Sequence, residues 1–516
     1  MAHFYRSPLR DQDFLMPVNM ADWLEEGHLA YFLIEVVGRL DLATLHARHP
    51  NDGVGRPAYD PAMMLTLLVY AYCGGVRSSR RIEASCRTDA AYRVSCGGMV
   101  PDHSTIARFI VDHQGAMGGL FVSGLRLCAA AGLVDLSVLA LDGTKIGSDA
   151  ALDRNRDAEW IAARVAEALA AIVASEDTEA ASPLFAGPRA ELATRRGRLA
   201  LYESALAVIA AEEAAAQAEA AGRADAAHAA AKEGRKLRGR KPKDPAAALE
   251  RAKADYEVAK ARAEERAATR AALEADARSS GRNLGGFLPG PDTKLAKASE
   301  ALAAARATAE AAEPPARRTA NITDPESRIM KTKDGFLQGY NAQAVVARNG
   351  VVVASTVSQD ANDVELFVPM LAQVGRTLKA AGIEEVANLI LADAGYWSAA
   401  NATAEGPPRL IATVKDYKQR QAAREAGTTS GEPPKDASAL EAMEHRLRTQ
   451  EGAALYALRS SIVEPLFGDH KENQGWRRFR RRGLVAAEAE WSFMNLVQNL
   501  GKLFDHRGAL AVPPTR

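Results

Sequence analysis

Two aspartates stand in matching settings and could act as a chemical pair. Asp142 follows the apolar run VLAL, and Asp393 follows the apolar run LILA. Small residues come directly after each of them. A single aspartate in such a position is usually a turn residue. Two matching instances instead predict strands that end on carboxylates, where α/β proteins hold reactive groups in fixed positions.

Carboxylates that converge from neighbouring strands suit Mg²⁺, a hard cation that favours oxygen ligands and keeps several waters. Two such ions about 3.5–4 Å apart can activate a water or a 3′-hydroxyl and stabilise the leaving oxygen of a phosphodiester. We therefore predict that Asp142 and Asp393 are metal ligands and catalytic residues. This chemistry calls for a third acid, which a helix would supply.

Glu464 is the first candidate for that third acid, within LYALRSSIVEPLFGDHK (residues 455–471). Lys471 follows it by seven residues, two helical turns, so one helix could show both side chains on one face. Pro465 disfavours helical geometry at Glu464 and predicts a helix break there. The alternatives are Glu490, Asp469, Asp360 and Asp363.

The run WRRFRRRG (residues 476–483) predicts contact with nucleic acid. Arginine binds phosphates, and the interleaved Trp476 and Phe479 could stack on unpaired bases. The alternative is a solvated basic helix face. The five arginines are Arg477, Arg478, Arg480, Arg481 and Arg482.

The bulk composition indicates a soluble protein of two to four parts. The chain has 516 residues and a formal net charge of +0, so a nucleic-acid site must be a local patch. Its 4 cysteines form no C-x-x-C pair, which argues against a zinc site or a disulfide framework. The polar start and the short apolar runs predict a cytoplasmic protein without a membrane segment.

Residues 1–135 read as a helical domain. Asp60 and Pro61 begin a helix that glycines end, and SSRRIEASC and PDHSTIARFI predict two further helices. Basic residues and a capped helix after a loop could form a helix-turn-helix variant that binds DNA. The link between those two helices is longer than the tight turn of that motif, so a plain helical bundle is the alternative.

A mixed sheet is predicted from residues 136–150, which hold its first strand, and from residues 321–516. The strands GYNAQAVVA and VVVASTVSQ flank Asn349-Gly350, a strong hairpin signal. An amphipathic helix at 363–382 precedes two more strands, NLILADAGYW and RLIATVKD. Helices are expected to pack on this sheet.

Residues 151–320 are rich in Ala, Glu, Arg and Lys, the composition of long helices. They predict an antiparallel helical hairpin whose tip is the basic segment GRKLRGRKPKDP (234–245). Its helices would each run about 50 Å, at roughly 1.5 Å per residue. Arg238 and Arg240 in the tip could enter a DNA minor groove or bind phosphates. A solvated loop is the alternative.

Taken together, the segments GRPAYDPAMMLTLLVYAYCGGVRSSRRIE, VPDHSTIARF, LDGTKI, GYNAQAVV, LADAGYW, VEPLFGDHK and EWSFMNLVQNLGKL resemble a bacterial insertion-sequence transposase of the DDE class. The resemblance implies an α/β fold with an RNase H-like mixed-sheet core, an N-terminal helical DNA-binding domain and the long Ala-rich helical hairpin as an insertion. It makes Asp142, Asp393 and Glu464 an acidic triad that binds divalent metal.

The resemblance also implies a Tyr, Arg, Glu, Lys signature around the third acid, in which the cations and the tyrosine contact DNA phosphates. Tyr456, Arg459, Glu464 and Lys471 match it, with Arg459 one residue further from the glutamate than in the commonest form.

The implied mechanism has two stages. Water activated by two Mg²⁺ ions, for which Mn²⁺ is expected to substitute, cuts a strand at the element's end. The freed 3′-hydroxyl then attacks target DNA in line. The implied partners are double-stranded DNA, as terminal inverted repeats and as target, and a second copy of the chain in the DNA complex, at the nucleoid.

Three other functions are compatible with these residues. One is a catalytically silent DNA-binding descendant of a transposase. Another is a coiled-coil interaction protein defined by residues 150–320, which leaves both strand-end acids unexplained. The third is a metal-dependent nuclease that cuts but cannot join.

Overall fold

The structure, a computed structural model, describes residues 19–48, 58–174, 194–233, 245–281, 293–312, 317–414 and 429–506. The chain divides into two compact units. The first contains Met1–Arg156, Ala163–Glu203 and Asn321–Arg516, and the second contains Asp157–Ala162 and Ser204–Ala320.

The N-terminal part is helical, as predicted. Its helices are α1 (Leu29–Val37), α2 (Ala43–His46), α3 (Pro61–Cys73), α4 (Ser79–Thr88), α5 (Ala90–Ser95), α6 (His103–Asp112) and α7 (Met117–Ala130). Asp60 begins α3 as its N-cap, because its Oδ1 accepts from the Ala62 N–H at 2.9 Å. Helix α5 separates α4 from α6, so these two helices are not joined by the tight turn of a helix-turn-helix.

A six-stranded mixed sheet forms the centre of the first unit, as predicted. The strands of the described chain are β1 (Leu139–Gly147), β2 (Asn155–Asp157), β3 (Thr319–Asn321), β4 (Arg328–Thr332), β5 (Gly335–Ala347), β6 (Val352–Ser358), β7 (Ile390–Ala392) and β8 (Arg409–Ile411). The sheet order is β4-β5-β1-β7-β8, and β6 also pairs with β5. Strand β1 is antiparallel to β5 and parallel to β7, which is parallel to β8.

Strand β1 does not end at Asp142, contrary to the prediction. It continues to Gly147, because β5 pairs with it along its whole length, from Leu139 opposite Ala347 to Gly147 opposite Gly339. Gly143 is therefore not a turn glycine. A Cβ at Gly143 would lie 2.1 Å from Gln343 Nε2, so close packing against β5 requires a glycine there.

The predicted hairpin at Asn349-Gly350 joins the antiparallel strands β5 and β6, with Gly350 at a φ of 88°. The amphipathic helix after it is α12 (Phe367–Ala381), which ends at Gly382 in the left-handed region, at a φ of 74°. A 3₁₀ turn, Val364–Leu366, precedes α12, so the helix begins a few residues later than predicted.

The C-terminal part contains α13 (Ala399–Thr403), α14 (Ala439–Arg448), α15 (Gln450–Gly468) and α16 (Leu484–His506). The helix break predicted at Pro465 is wrong. Helix α15 runs through Pro465, which is exposed, and it ends in a π-helical turn at Asp469–Asn473. An exposed proline costs the helix one hydrogen bond without disturbing the packed face. Helix α16 packs on β6, α7 and α3.

Glu488 of α16 faces the outer edge of β6. Its carboxylate accepts from the Val357 N–H and, at 3.2 Å, from the Thr356 hydroxyl. Burial raises the pKa of Glu488 to about 7, which outweighs the lowering by those two hydrogen bonds. The acid therefore satisfies an edge N–H that would otherwise be unpaired.

Replacing Glu488 with glutamine is expected to raise the stability of the fold at pH 8 by about 1–3 kcal/mol. The folded pKa lies above the unfolded one, so the native state binds more protons and its stability falls as the pH rises from about 4.5 to about 7. Glutamine keeps a carbonyl acceptor for Val357 and removes the ionisation. Thermal unfolding should separate the two proteins at pH 8 and barely at pH 4.5. An equal difference at both pH values would contradict this account.

The alanine-rich region contains long helices, as its composition predicts: α8 (Ala158–Ala174), α9 (Arg195–Lys232), α10 (Pro245–Ser280) and α11 (Thr293–Glu310). Helix α10 packs on α11. Within α10 the buried residues are Ala254 and Ala277, so the contact surface is thin. Residues 234–244, with Arg238 and Arg240, lie outside the described residues, so the hairpin and its basic tip stay predictions. Across the described ranges, no helix has the length and apolar character needed to span a membrane.

Candidate active site

The sheet brings Asp142 and Asp393 together. Strands β1 and β7 are parallel, and Leu141 pairs with Ala392, so the two aspartates come next in register. The pKa of Asp142 is raised to about 7, chiefly by burial and next by the negative charge of Asp393, against the lowering by Arg459. The two carboxylates are thus close enough to repel each other, as the sequence pattern predicted for neighbouring strands.

Arg459 of α15 pairs with the first of these acids. Its Nη1 lies 3.0 Å from Asp142 Oδ2, and the side chain of Arg459 is only 7% exposed. The Gly143 N–H donates to Asp142 Oδ1 at 2.8 Å. Arg459 was predicted to contact DNA phosphates. In the structure it neutralises part of the negative charge of the acid pair.

Lys471 lies on the same side of the sheet. Its Nζ donates to the Thr144 hydroxyl, two residues from Asp142 on β1. Burial lowers the pKa of Lys471, the positive charges of Arg477 and Lys333 lower it further, and Asp142 raises it. The predicted signature lysine therefore stands within electrostatic reach of the acid pair, at the end of α15. Its predicted companion Tyr456 is buried in α15.

Glu464 is exposed, and it follows Arg459 by five residues, which places it about 140° further round the helix. The extra residue between them explains this position, because Val463, four residues after Arg459, faces the core and is fully buried. Among the described residues, no three His, Cys, Asp or Glu side chains are arranged to hold a metal ion.

Asp363 is the acid that the structure places beside Asp393. A Cβ at Gly395 would lie 3.0 Å from Asp393 Oδ1 and 3.3 Å from Asp363 Oδ2, so both carboxylates border the space that this glycine leaves. The sequence offered Asp363 as one of several alternatives for the third acid, and no pattern favoured it over the others.

A polar network fixes the orientation of Asp363. Its Oδ1 accepts from Asn341 Nδ2 at 2.7 Å, from Gln343 Nε2 at 3.0 Å and from Lys145 Nζ at 3.2 Å. Asn341 and Gln343 alternate on β5 and are both buried, a pattern of polar residues inside a strand that could have pointed to this site.

Tyr396, in the segment that follows Asp393, is fully buried among the acids. Its hydroxyl donates to Gln343 Oε1. Burial raises the pKa of Tyr396 well above its usual value, and the charges of Asp363, Asp142 and Asp393 raise it further. The phenol therefore stays protonated and serves as a hydrogen-bond donor.

The other alternative acids have structural roles. Glu490 is buried, accepts from the Arg480 N–H at 2.9 Å and lies 3.4 Å from Arg77 Nη1. Asp469 accepts hydrogen bonds from the side chains of two residues that follow it, at 2.8 and 3.0 Å. Asp360 is exposed and bonds Ser358.

The arginine-rich run 476–483 is a loop rather than a helix, and its residues separate into two groups. Trp476 and Phe479 are fully buried, so they belong to the core and neither is available to stack on a base. Two arginines turn inward: Arg481 bonds the Ile110 carbonyl at 3.3 Å, and Arg482 bonds Asp149 Oδ2 at 3.0 Å. The exposed arginines are Arg477, Arg478 and Arg480.

Two family models match parts of the chain. A transposase domain, DUF772, matches residues 18–112, and a transposase DDE domain matches residues 417–504. The second match contains Arg459, Glu464 and Lys471, whereas both aspartates of the pair lie outside it. No curated protein and no solved structure matches the chain.

Proposed function

We propose that the chain is an insertion-sequence transposase of the DDE class, which cuts DNA at the ends of such an element and joins the freed 3′-hydroxyl to target DNA. The matches to two transposase domains support this proposal. The observation that carries the chemistry is the in-register pair Asp142 and Asp393 on parallel strands. Two matched carboxylates at one end of a parallel pair of strands suit phosphodiester chemistry.

We assign the catalytic part to an RNase H-like core made of the sheet and the helices packed on it. The mixed strand order, with β1 between an antiparallel and a parallel neighbour, supports this assignment. The proposed domains are those expected from sequence: residues 1–135 for DNA binding, 136–150 and 321–516 for the core, and 151–320 as an insertion.

The carboxylates at this end of the sheet are of the chemical type that holds a divalent cation, Mg²⁺ in the first instance. Its proposed ligands are Asp142 and Asp393, with Glu464 as the third, and carboxylate oxygens are the donors it prefers. Gly395 lets the backbone approach Asp393 closely, since a Cβ there would lie only 3.0 Å from Asp393 Oδ1. When bound, two such ions, or Mn²⁺ in their place, supply the charge stabilisation that phosphodiester cleavage needs.

The cations beside the acids have a part in DNA binding under this proposal. Arg459 would transfer its guanidinium from Asp142 to a DNA phosphate, which frees a carboxylate as the substrate arrives. Lys471 would hold a second phosphate from the position it has beside Thr144. The exposed Arg477, Arg478 and Arg480 would continue this contact along the backbone, and Arg238 and Arg240 are proposed as a further contact.

The proposed partners are the double-stranded inverted repeats of the element, target DNA and a second copy of the chain. Joining two element ends requires two active sites in one complex, which favours a homodimer on DNA. A DNA substrate of this kind places the protein in the cytoplasm, at the nucleoid.

A reconstituted reaction tests this function. Purified protein would be incubated with labelled DNA that carries the inverted repeats flanking its gene, a target plasmid, and Mg²⁺, Mn²⁺ or a chelator. We expect nicks at the repeat ends and joined products with either metal, and neither with the chelator. DNA with scrambled ends is the control. Metal-independent cleavage, or cleavage without any joined product, would contradict the proposal.

A second candidate is a DNA-binding descendant that no longer cuts. The pairing of Arg459 with Asp142 favours it, because the guanidinium occupies a carboxylate that a metal ion would need. Specific binding to the repeats with no cleavage under any metal would select this candidate.

A further inference from the structure

The hairpin of β4 and β5 carries a surface that the proposed chemistry does not use. We call Ile329, Lys331, Lys333 and Phe336 the ribbon surface. Phe336 is 64% exposed and Ile329 is 46% exposed, and both lysines are exposed. Within the described ranges, Phe336 is the one aromatic residue among the large exposed apolar side chains. Ile329 and Phe336 lie on one face of the hairpin, since Lys331 pairs with Phe336 and Ile329 pairs with Gln338, so together they form an apolar patch that a partner could cover.

The tip of this hairpin extends beyond the rest of the sheet. Strand β1 ends at Gly147, opposite Gly339, whereas β5 begins at Gly335, opposite Thr332 of β4. Residues 335–337 thus continue with β4 as a two-stranded ribbon, for roughly 10 Å at about 3.3 Å per residue.

The ribbon surface shares a face of the sheet with the acid pair. Lys331 pairs with Phe336, so these two side chains lie side by side. Asp142 pairs with Ala344, which is eight residues, an even number, from Phe336 on β5. Alternation of side chains therefore puts Phe336 and Asp142 on one face, about 25 Å apart along the strand.

Positive charge connects the two places. Lys471 bonds Thr144 near the acid pair, and the backbone of Arg478, an exposed arginine, pairs with Gly147, where β1 ends. A row of cations from a cleavage site to a projecting ribbon fits a polyanion of regular shape.

We propose that the ribbon surface enters the major groove of the DNA whose end lies at Asp142 and Asp393. This inference rests on the proposed function, which is cleavage of DNA at the ends of the element. The major groove admits a two-stranded β-ribbon, its thymine methyl groups accept apolar contacts, and its guanine edges accept contacts from lysine. A separation of about 25 Å corresponds to roughly seven base pairs at 3.4 Å each. The ribbon therefore reads sequence about seven base pairs from the cut.

Methylation protection tests the inference, because it reports on guanine N7 in the major groove. The probe is a labelled duplex carrying the element end that flanks this gene, bound in chelator so that it stays uncut. We expect the natural protein to protect guanines roughly seven base pairs from the end. The variant Lys331→Ala with Phe336→Ala should lose that protection and keep protection at the end itself.

Two further measurements sharpen the result. Replacing thymine with uracil in the same region removes the methyl group. This change should weaken DNA binding by the natural protein several-fold and leave DNA binding by Phe336→Ala unaffected. Lys331→Ala with Lys333→Ala should reduce the salt dependence of binding by about two released ions. The matched control is Val386→Ala, which alters a 78% exposed apolar residue elsewhere in the first unit.

Three outcomes would overturn the inference. If the ribbon variants keep the full protection pattern, the ribbon is not in the groove, and the proposed function still stands. If the natural protein protects no specific position, the proposed function fails as well. If the ribbon variants change only self-association in sedimentation, the surface is an interface between two copies of the chain.

Discussion

Replacing Asp393 with asparagine is expected to lower the rate of DNA cleavage by on the order of a thousandfold or more, with binding to the same DNA almost unchanged. The amide has the size of the carboxylate and can still accept from the Gly395 N–H, which now donates to Asp393 Oδ1 at 2.9 Å. It lacks the negative charge that a divalent cation needs. Gel-based cleavage of end-labelled DNA in Mg²⁺, together with a binding titration in chelator, measures both quantities.

Asp360→Asn is the matched control for this experiment, because Asp360 is an exposed acid that bonds Ser358 and stands outside the pair. It should cleave at the normal rate. Equal cleavage by Asp393→Asn and the natural protein would mean that Asp393 is only a turn residue, which bonds the backbone at Gly395. The metal site proposed at this end of the sheet would then be wrong.

Replacing Glu464 with glutamine is expected to lower cleavage by a similar factor, on the order of a thousandfold, if Glu464 is the third metal ligand. Since Glu464 is exposed, the change should leave the stability of the fold within about 0.5 kcal/mol of the natural protein. Cleavage assays and thermal unfolding would be run on the same preparations. Glu451→Gln, at another exposed glutamate of α15, is the control.

Asp363→Asn competes directly with that expectation. Asp363 Oδ1 accepts hydrogen bonds from Asn341, Gln343 and Lys145. We therefore expect Asp363→Asn to act mainly on the stability of the fold and to have a smaller effect on the rate of cleavage. The reverse result, in which Asp363→Asn abolishes cleavage and Glu464→Gln is silent, would transfer the role of third acid to Asp363. The pair of variants therefore decides between the acid implied by family resemblance and the acid placed by the fold.

The sheet was largely predictable because most of its strands have recognisable local sequence patterns. Alternating or continuous apolar runs and the Asn349-Gly350 turn identify β5, β6 and β7 directly. The end of β1 was not predictable in this way. Gly143 resembles a turn residue, and the strand passes through it because it pairs with Gln343, some two hundred residues later in the chain.

The candidate site shows the same division. The convergence of Asp142 and Asp393 follows from their like settings at strands that prove to be neighbours. The position of Asp363 depends on side chains of β1 and β5 that hold it, and no local pattern reveals such contacts. The orientation of Glu464 depends on the one extra residue that separates it from Arg459 along α15. The sequence shows this extra residue, but its effect follows only once both residues are placed on a helix.

Composition alone misled the interpretation of the arginine-rich run. Trp476 and Phe479 look like base-stacking residues beside phosphate-binding arginines, yet both are fully buried. Their burial explains the loop: two aromatic anchors in the core fix its path, and the arginines between and after them are divided between inward hydrogen bonds and solvent. A run of charged residues therefore shows where cations lie in the sequence, and the packing of neighbouring side chains in the core determines which of them face solvent.

Arg77 belongs to the N-terminal helical part, yet its partners all lie near the C-terminus. It donates to the carbonyls of Gly475 and Arg478 at 3.0 and 2.8 Å and pairs with buried Glu490. Leaving Glu490 buried without this cation would cost about 3–5 kcal/mol, a large share of the stability of a typical domain. The N-terminal helices are consequently not a detachable module. A chimera that exchanges them between related proteins must carry both ends of this ion pair, so the two ends of the gene are expected to be inherited as one block.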